Sequence, residues 1–359
     1  TRLAWEEKTV FNTRKPDLGK TWVKIKGKIF GAKPDTRGPI GGGKDYRSVV
    51  RQGDCKAEAL DELLDALAKA RSGDTVFIEG SVEIDCTERV FIEQQVIEVP
   101  EGVTLASDRG LGGSKGALIL SDTFATKPLI RIGGPGARIS GLRIQGPDPK
   151  RRLEHHDRCF LEGRGHEYYY KFPISDGISS EHPSLEVDNC ELGGWSHGAV
   201  SLSAGEGHHI HHCFIHHNQY NGLGYGICHG KAFSLIEQNL FNYNRHSIAG
   251  AGSPGSGYEA RHNVEIGESL SHCFDMHGGR DRKDGTDIAG TRMNVHHNTF
   301  RSRKTPIVIR GVPEEEAEVH HNWFFHHRPE GQAGNNPVRY DSKTSIHANA
   351  YGKQRPMIT

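Results

Sequence analysis

The stretch HHCFIHHN, residues 211–218, has altered copies on both sides of it. VDNCEL (187–192), IEQNLFNYN (236–244), RHNVEI (261–266), HHNTF (296–300), HHNWFF (320–325) and HANAYG (347–352) share its shape: polar residues lead into Cys or Asn, and an apolar residue follows closely. Aligned, one column reads Cys190, Cys213, Asn239, Asn263, Asn298, Asn322 and Asn349, with gaps of 23, 26, 24, 35, 24 and 27 residues. A second short apolar stretch recurs between them: HGAVSL (197–202), NGLGYGI (221–227), HSIAGAG (246–252), HCFDMHG (272–278), PIVIRG (306–311) and PVRY (337–340). A unit of ~24 residues with two or three short strands and no helix is one coil of a parallel β-solenoid. Each strand then pairs with its copy one coil away, at ~4.8 Å, so like residues stack on like. The Asn column is expected to form an inward ladder, since a turn Asn can bond its neighbour's amide and tolerates the left-handed conformation. Leucine-rich repeats would need LxxLxLxxN and a helix per unit, and propeller blades run to ~40 residues; neither pattern is present.

Composition agrees with a turn-rich β architecture. Of 359 residues, 35% are hydrophobic, and Gly (45) and His (23) are abundant, which suits a narrow core rather than a helical bundle. The formal net charge is zero, so no global field points to nucleic acid or a membrane surface. No apolar run approaches the ~20 residues of a membrane span. The seven cysteines contain no CxxC pair, against a zinc ribbon or a redox motif; Cys55 and Cys86 either pair or stand as two thiols. The chain begins at Thr1 without Met, and the expectation is export to the periplasm or outside the cell.

A solenoid needs capped ends. In CKAEALDELLDALAKARSGDTVFIEG (55–80), Ala59, Leu60, Leu63, Leu64, Leu67 and Ala70 follow helical spacing, Ser72-Gly73 stops the helix, and an apolar strand begins. IEVPEGVTLASDRG (97–110) and ARISGLRIQG (137–146) read as the first coils. This run of helix, Gly-Asp-Thr, apolar strand and Val-Pro-x-Gly-Val-Thr-Leu resembles the N-terminal cap of right-handed parallel β-helix proteins of the pectate-lyase type. The resemblance spans roughly residues 50 to 350 and implies an all-β, right-handed parallel β-helix with an N-terminal capping helix. We expect one β-helix domain over 1–359: an extension at about 1–49, the capping helix and first strand at 50–80, and coils over 81–350, with inserted loops near 146–182 and 278–290. The first insertion is polar and aromatic; Tyr168, Tyr169 and Tyr170 are candidates to stack on sugar rings, against a plain surface loop.

The second insertion follows SHCFDMHGGRDRKDGTD (271–287). Stacking aligns Phe274 with Ala199, Leu223, Ile248 and Val308, an apolar inward column. Asp275 and His277 then face out, and strict alternation would turn His272 inward. Phe274-Asp275-Met276-His277 resembles the Phe-Asp-Pro-His stretch of the mannuronan C5-epimerases, which are also right-handed β-helices. That resemblance implies that Asp275 and His277 lie in a substrate groove. His272 stands where that family has a proton-moving Tyr, and Met276 replaces its Pro.

The chemistry also follows from the residue types. Abstracting a proton α to a uronate carboxyl needs a base titrating near neutrality, for which His277 is the candidate. It needs a second proton-transfer group, for which His272, His246 and Tyr258 are candidates, and cations that neutralise the carboxylate. From Gly278 to Gly311 there are eight basic residues and three acidic ones. Arg310, inside an apolar strand, is the expected carboxylate clamp, with Arg280, Arg282, Glu259, Arg261 and Tyr225 as further substrate contacts. Ala249, Gly250 and Ala251 would leave room for a sugar on the groove floor. Asp281, Asp284 and Asp287 offer hard oxygen ligands for calcium without EF-hand spacing. The adjacent His pairs suggest zinc or copper, but neighbours in a strand point opposite ways, so turn residues in a stacked polar ladder are the expectation. GPIGGGKD (38–45) fails as a phosphate loop, because Asp45 stands where Ser or Thr must reach magnesium.

These features favour an enzyme acting on an acidic polysaccharide, by preference a lyase cleaving a uronate polymer through C5 proton abstraction and β-elimination. The alternatives are a uronan C5-epimerase, a glycoside hydrolase pairing Asp275 with Asp284, Asp287 or Glu259, and a non-catalytic metal- or carbohydrate-binding β-helix.

Overall fold

In a computed structural model of the chain, residues 15–220, 222–332, 335–354 and 356–358 are described; the first 14 residues of the expected extension lie outside them. The chain winds as a right-handed parallel β-helix whose coils each supply strands to three sheets. The first sheet stacks Ile130–Ile132, Asp176–Ser180, the first parts of Gly198–His211 and Tyr225–Glu237, His246–Gly250, Phe274–Met276, Ile307–Ile309 and Val338–Arg339. The two long strands bend across into the second sheet, which runs from Thr75–Phe77 to Thr344–His347. The third runs from Glu83–Asp85 to Ala350–Tyr351 and ends on the antiparallel Met357–Ile358.

The bore is filled by stacked columns. In the first sheet the inward column is Ile130, Ile178, Val200, Ile227, Ile248, Phe274, Ile307 and Val338. Ile248 and Phe274 pair as the repeat predicts, but Val200, Ile227 and Ile307 replace the expected Ala199, Leu223 and Val308. The turns entering this sheet differ in length from coil to coil, so counting from the Asn column slips the register, and a one-residue slip reverses a side chain.

The Asn ladder forms where the second sheet turns into the third. The Asn239 amide donates to Asn263 Oδ1 at 3.0 Å, Asn263 to Asn298 at 3.0 Å, Asn298 to Asn322 at 2.9 Å and Asn322 to Asn349 at 2.9 Å. Each Nδ2 also donates to a carbonyl one coil back, as Asn298 does to Ala260 at 2.8 Å. The left-handed conformation falls on the residue before the ladder position: His212, Gln238, His262, His297, His321 and Ala348 all have φ near +50°. This overturns the expected geometry of the His pairs. The second His of a pair folds back at the left-handed turn, bringing the two Nδ1 atoms within 2.9 Å at His211–His212 and 2.8 Å at both His296–His297 and His320–His321. Coil on coil, His296 stacks on His320 and His297 on His321, each with centroids 4.9 Å apart. Burial lowers His297 to about 3 and His320 to about 4, so these columns are neutral stacks at neutral pH.

The capping helix α1 (Leu60–Lys69) buries Leu63 and Leu67 over the end of the bore. A second short helix, α2 (Thr87–Glu93), follows. The described part of the extension is a strap along the outer side of the third sheet. Its hairpin, Trp22–Ile25 with Lys28–Gly31, packs Val23 and Phe30 on Trp323 and Ala350; Ala32 and Ile40 cover Phe214, Leu240 and Val264. The 146–182 insertion carries helices α3 (Leu153–Phe160) and α4 (Gly165–Tyr169) where an irregular loop was expected. Tyr169 is buried against Tyr220 and Cys159, while Tyr170 is exposed. Cys55 and Cys86 are separate thiols. No helix among the described residues is long and apolar enough to cross a membrane.

Candidate active site

Asp275 lies on the outward column of the first sheet, between Ala249 on one coil and Val308 on the next. Its side chain is nevertheless fully enclosed by the groups that bond it. Arg310 grips it with two parallel bonds, Nε to Oδ1 at 2.9 Å and Nη2 to Oδ2 at 2.7 Å. His272 Nε2 reaches Oδ1 at 3.1 Å and His277 Nε2 reaches Oδ2 at 3.1 Å. His246 Nε2 stands 3.5 Å from Oδ2, and its ring stacks on that of His272 with centroids 3.9 Å apart. Burial alone would push the Asp275 carboxyl up, but the hydrogen bonds from His272 and His277 outweigh it and hold the group well below the usual carboxylate range. Burial lowers His246 and His272, so the buried positive partner of the anion is Arg310.

His272 reaches this cluster because alternation breaks just ahead of the strand. Cys273 and Phe274 both point into the bore, and the regular strand starts only at Phe274. His272 is thereby released to the outward side, against the expectation. His246 donates from Nδ1 to the His272 carbonyl at 2.6 Å, and its buried Nε2 has no hydrogen-bond partner.

Of this cluster, His277 is the member that lines a groove. That groove, of about 400 Å³, is also lined by Tyr225, Ser201, His197, Asp281 and Arg282, with Ala249, Gly250 and Ala251 on the floor. Asp275 accepts a hydrogen bond from His277 Nε2, and the other ring nitrogen, Nδ1, lies 3.5 Å from Asp281 Oδ2. Burial pushes the Tyr225 phenol up to about 12, so it enters the groove as a protonated hydroxyl.

Other expected site residues fall elsewhere. Tyr258 is enclosed in the bore, with no access to the groove. Glu259 and Arg261 lie on the second sheet and pair with each other at 2.8 Å; strand count alone could not say which sheet a stretch joins. Arg280 is exposed and faces Asp287 at 3.1 Å. Arg282 lines the groove but is held by the carbonyls of Ala251 at 2.9 Å and Ile288 at 3.0 Å and by Asp284 at 2.8 Å. Helix α5 (Gly279–Arg282) carries Asp281 toward His277, whereas Asp284 binds Thr286 at 2.7 Å and Arg282. The three aspartates therefore do not converge on a common calcium position. The donor triads close enough for one metal ion, among the described residues, are Glu186–His209–His211 and His246–His272–Asp275. In the second, the Arg310 guanidinium already bonds Asp275 and lies 3.1 Å from His272 Nε2.

Sequence reasoning missed His197, whose Nδ1 is 2.6 Å from Asp176 Oδ1 at the far end of the groove. Asp176 pairs with Gly198, beside His197, and that coil is three steps from the Asp275 coil, or ~14 Å at ~4.8 Å per step. The signal was weak: two short stretches, SDG and SHG, that only the fold brings together.

No family model matches the chain, and no curated protein matches it. Among solved structures it is similar to an alginate lyase from Paenibacillus sp. str. FPU-7, with 12% identity and a TM-score of 0.52 over 83% of this chain and 97% of that one. It is also similar to an exopolygalacturonase of Yersinia enterocolitica, with 9% identity and a TM-score of 0.42 over 86% of this chain and 78% of that one. The first likeness establishes the shared parallel β-helix fold.

Proposed function

We propose that the protein is an enzyme acting on a uronate-containing polysaccharide, cleaving it by β-elimination. The observation that carries the reading is the Asp275–His277 pair at 3.1 Å, with the carboxylate buried and fixed by Arg310 and the imidazole on the groove. Asp275 holds the Nε2–H tautomer, which leaves Nδ1 free to take the C5 proton. The electron pair left at C5 forms the C4–C5 double bond as the C4–O4 bond breaks. The departing oxygen takes a proton from Tyr225, and the proton now on His277 is given to water as Tyr225 regains one from water, which restores both groups. That a protein of the same fold is an alginate lyase supports the substrate class. A substrate of polymeric size would place the protein in the periplasm or outside the cell.

Hydrolysis is less well supported. A glycoside hydrolase needs a carboxyl held protonated near neutrality, whereas Asp275 is driven the other way and Asp284 is lowered to about 2 by its bonds to Thr286. C5 epimerisation shares the first step, and the Phe274-Asp275-x-His277 stretch keeps it as the second reading. Incubation with mannuronan, guluronan and polygalacturonate separates the three. Growth of ultraviolet absorbance from an unsaturated end supports elimination, and altered C5 configuration without chain shortening supports epimerisation. New reducing ends without absorbance would overturn both.

A further inference from the structure

HHIHH (208–212) ends the long strand Gly198–His211 on the second sheet. Ile210 points into the bore, so His209 and His211, two apart, share the outward face. The neighbouring coil places Glu186 directly beside His209. One ligand atom from each of Glu186, His209 and His211 lies within 4.8 Å of the other two. His211 Nε2 is 3.1 Å from Glu186 Oε1, and the two His rings are 4.1 Å apart between centroids. Zinc bonds of ~2.1 Å in a tetrahedral array set neighbouring ligand atoms ~3.4 Å apart. The Glu186–His211 contact is already close to that spacing, and a small rotation of His209 closes the third side. The cluster is open to solvent on one flank. The side chains of Glu186 and His209 are 40% and 28% exposed, against 3% for His211, so an ion enters past the first two and is seated by the third.

The surroundings hold these ligands as a metal site requires. A metal-bound imidazole donates its other N–H to an acceptor that fixes the ring. His211 Nδ1 has His212 Nδ1 at 2.9 Å, and His212 Nε2 in turn has Asp35 Oδ1 of the strap at 3.2 Å. Protons on His211 Nδ1 and His212 Nε2 complete that chain and turn the lone pair of His211 Nε2 toward Glu186. Two acceptors 3.1 Å apart need a cation between them, and either a second proton on His211 or a metal ion meets the need. His209 is fixed by Glu237, whose Oε1 is 3.0 Å from its Nε2. The competing cation is Arg138, but it commits Nε and Nη2 to Asp188 at 2.8 and 2.9 Å and stays 3.6 Å from Glu186.

We propose that Glu186, His209 and His211 bind a divalent first-row transition metal, zinc by preference, on the outer side of the second sheet. Two imidazoles and one carboxylate are ligand types that zinc takes, whereas calcium and magnesium prefer oxygen throughout. The ion joins two neighbouring coils, and through His212 and Asp35 it braces the strap against them. None of its three ligands lines the groove, so its part is to hold the fold, and the assignment is independent of the uronate reading.

The test is a calorimetric titration of chelator-stripped protein with zinc chloride, run beside thermal denaturation with and without zinc. The proteins are the parent, Glu186→Gln and His209→Ala. Both substituted positions are partly exposed, and a melting transition in chelator shows each variant to be folded. The parent is expected to bind zinc at least about tenfold more tightly than either variant and to melt at a higher temperature with zinc than without it; the variants should lose most of that rise. Zinc binding that keeps the parent affinity in both variants overturns the assignment, and so does a parent that takes up no zinc.

Discussion

Asp275 illustrates how one residue can be exposed by its strand position and buried by its neighbours. Alternation sends it outward, and Arg310, His272, His277 and His246 then close over it. Two predictions belong to this scale. Removing a general base typically costs ~10²–10⁴-fold in rate, so His277→Ala is expected to lose about that much turnover on the true uronan while the protein stays folded; a rate within twofold of the parent sinks the base assignment. The second concerns acid stability. The folded-state pKa of Asp275 is depressed below its unfolded value, so its contribution is fully present above pH ~4 and is lost as pH falls further. Asp275→Asn leaves Arg310 without its buried counterion, a change that typically costs ~3–5 kcal/mol. Urea midpoints for the variant should be lower than the parent's at neutral pH, and the gap should narrow as the pH drops below ~4. A constant gap across that range would count against the ion pair as the cause. At this scale the sequence was legible for the outward placement of Asp275 and His277, because alternation on a short strand is local; Arg310, expected to clamp a substrate carboxylate from inside a strand, instead follows Ile307–Ile309 and grips Asp275. The sequence was not legible for His272, where the Cys273–Phe274 break depends on the bore accepting both side chains.

At the scale of elements, the third sheet shows what stacking does to a misfit. Its inward column reads Leu192, Ile215, Phe241, Glu265, Phe300, Phe324 and Tyr351. Glu265 is thus a carboxyl among aromatic rings, and burial pushes it up to about 8. Its folded pKa is raised, so the folded state holds a proton that the unfolded state has released between pH ~4.5 and about 8. Stability should fall as pH rises through that window, by up to about 5 kcal/mol at 1.36 kcal/mol per unit. Glu265→Gln removes the titration. Denaturation series at pH 5, 6.5 and 8 should show a parent that weakens and a variant that does not; parallel curves would refute the assignment. The column also shows why Glu259 and Arg261 were misplaced. Polar residues two apart look alike on any half-buried strand, and only the pairing partners say which sheet a strand joins.

For the whole molecule, the strap formed by residues 15–47 is as much part of the fold as the coils. It makes the outer side of the third sheet apolar: Phe214, Leu240, Val264 and Trp323 point away from the bore and are still buried. Sheets covered on both faces give continuous apolar runs, which is why stretches such as CFIH and NWFF do not alternate. A chain beginning at residue 48 should bind a hydrophobic dye and self-associate, while a chain beginning at residue 15 should not; equal dye binding by the two would remove the strap from the fold's requirements. The sequence by itself determined the coil. A repeat near 24 residues, the Asn column and the capping helix are patterns written along the chain: helical spacing is local, and an Asn that recurs once per coil meets its copy on the next coil whatever the turns between them do. Only the tertiary structure decided what the groove contains. It carried Tyr258 inside and His272 outside, set Glu259 and Arg261 on another sheet, and joined Asp176 to His197. These outcomes depend on register and on turn lengths between coils, where one residue more or less reverses the direction of a side chain.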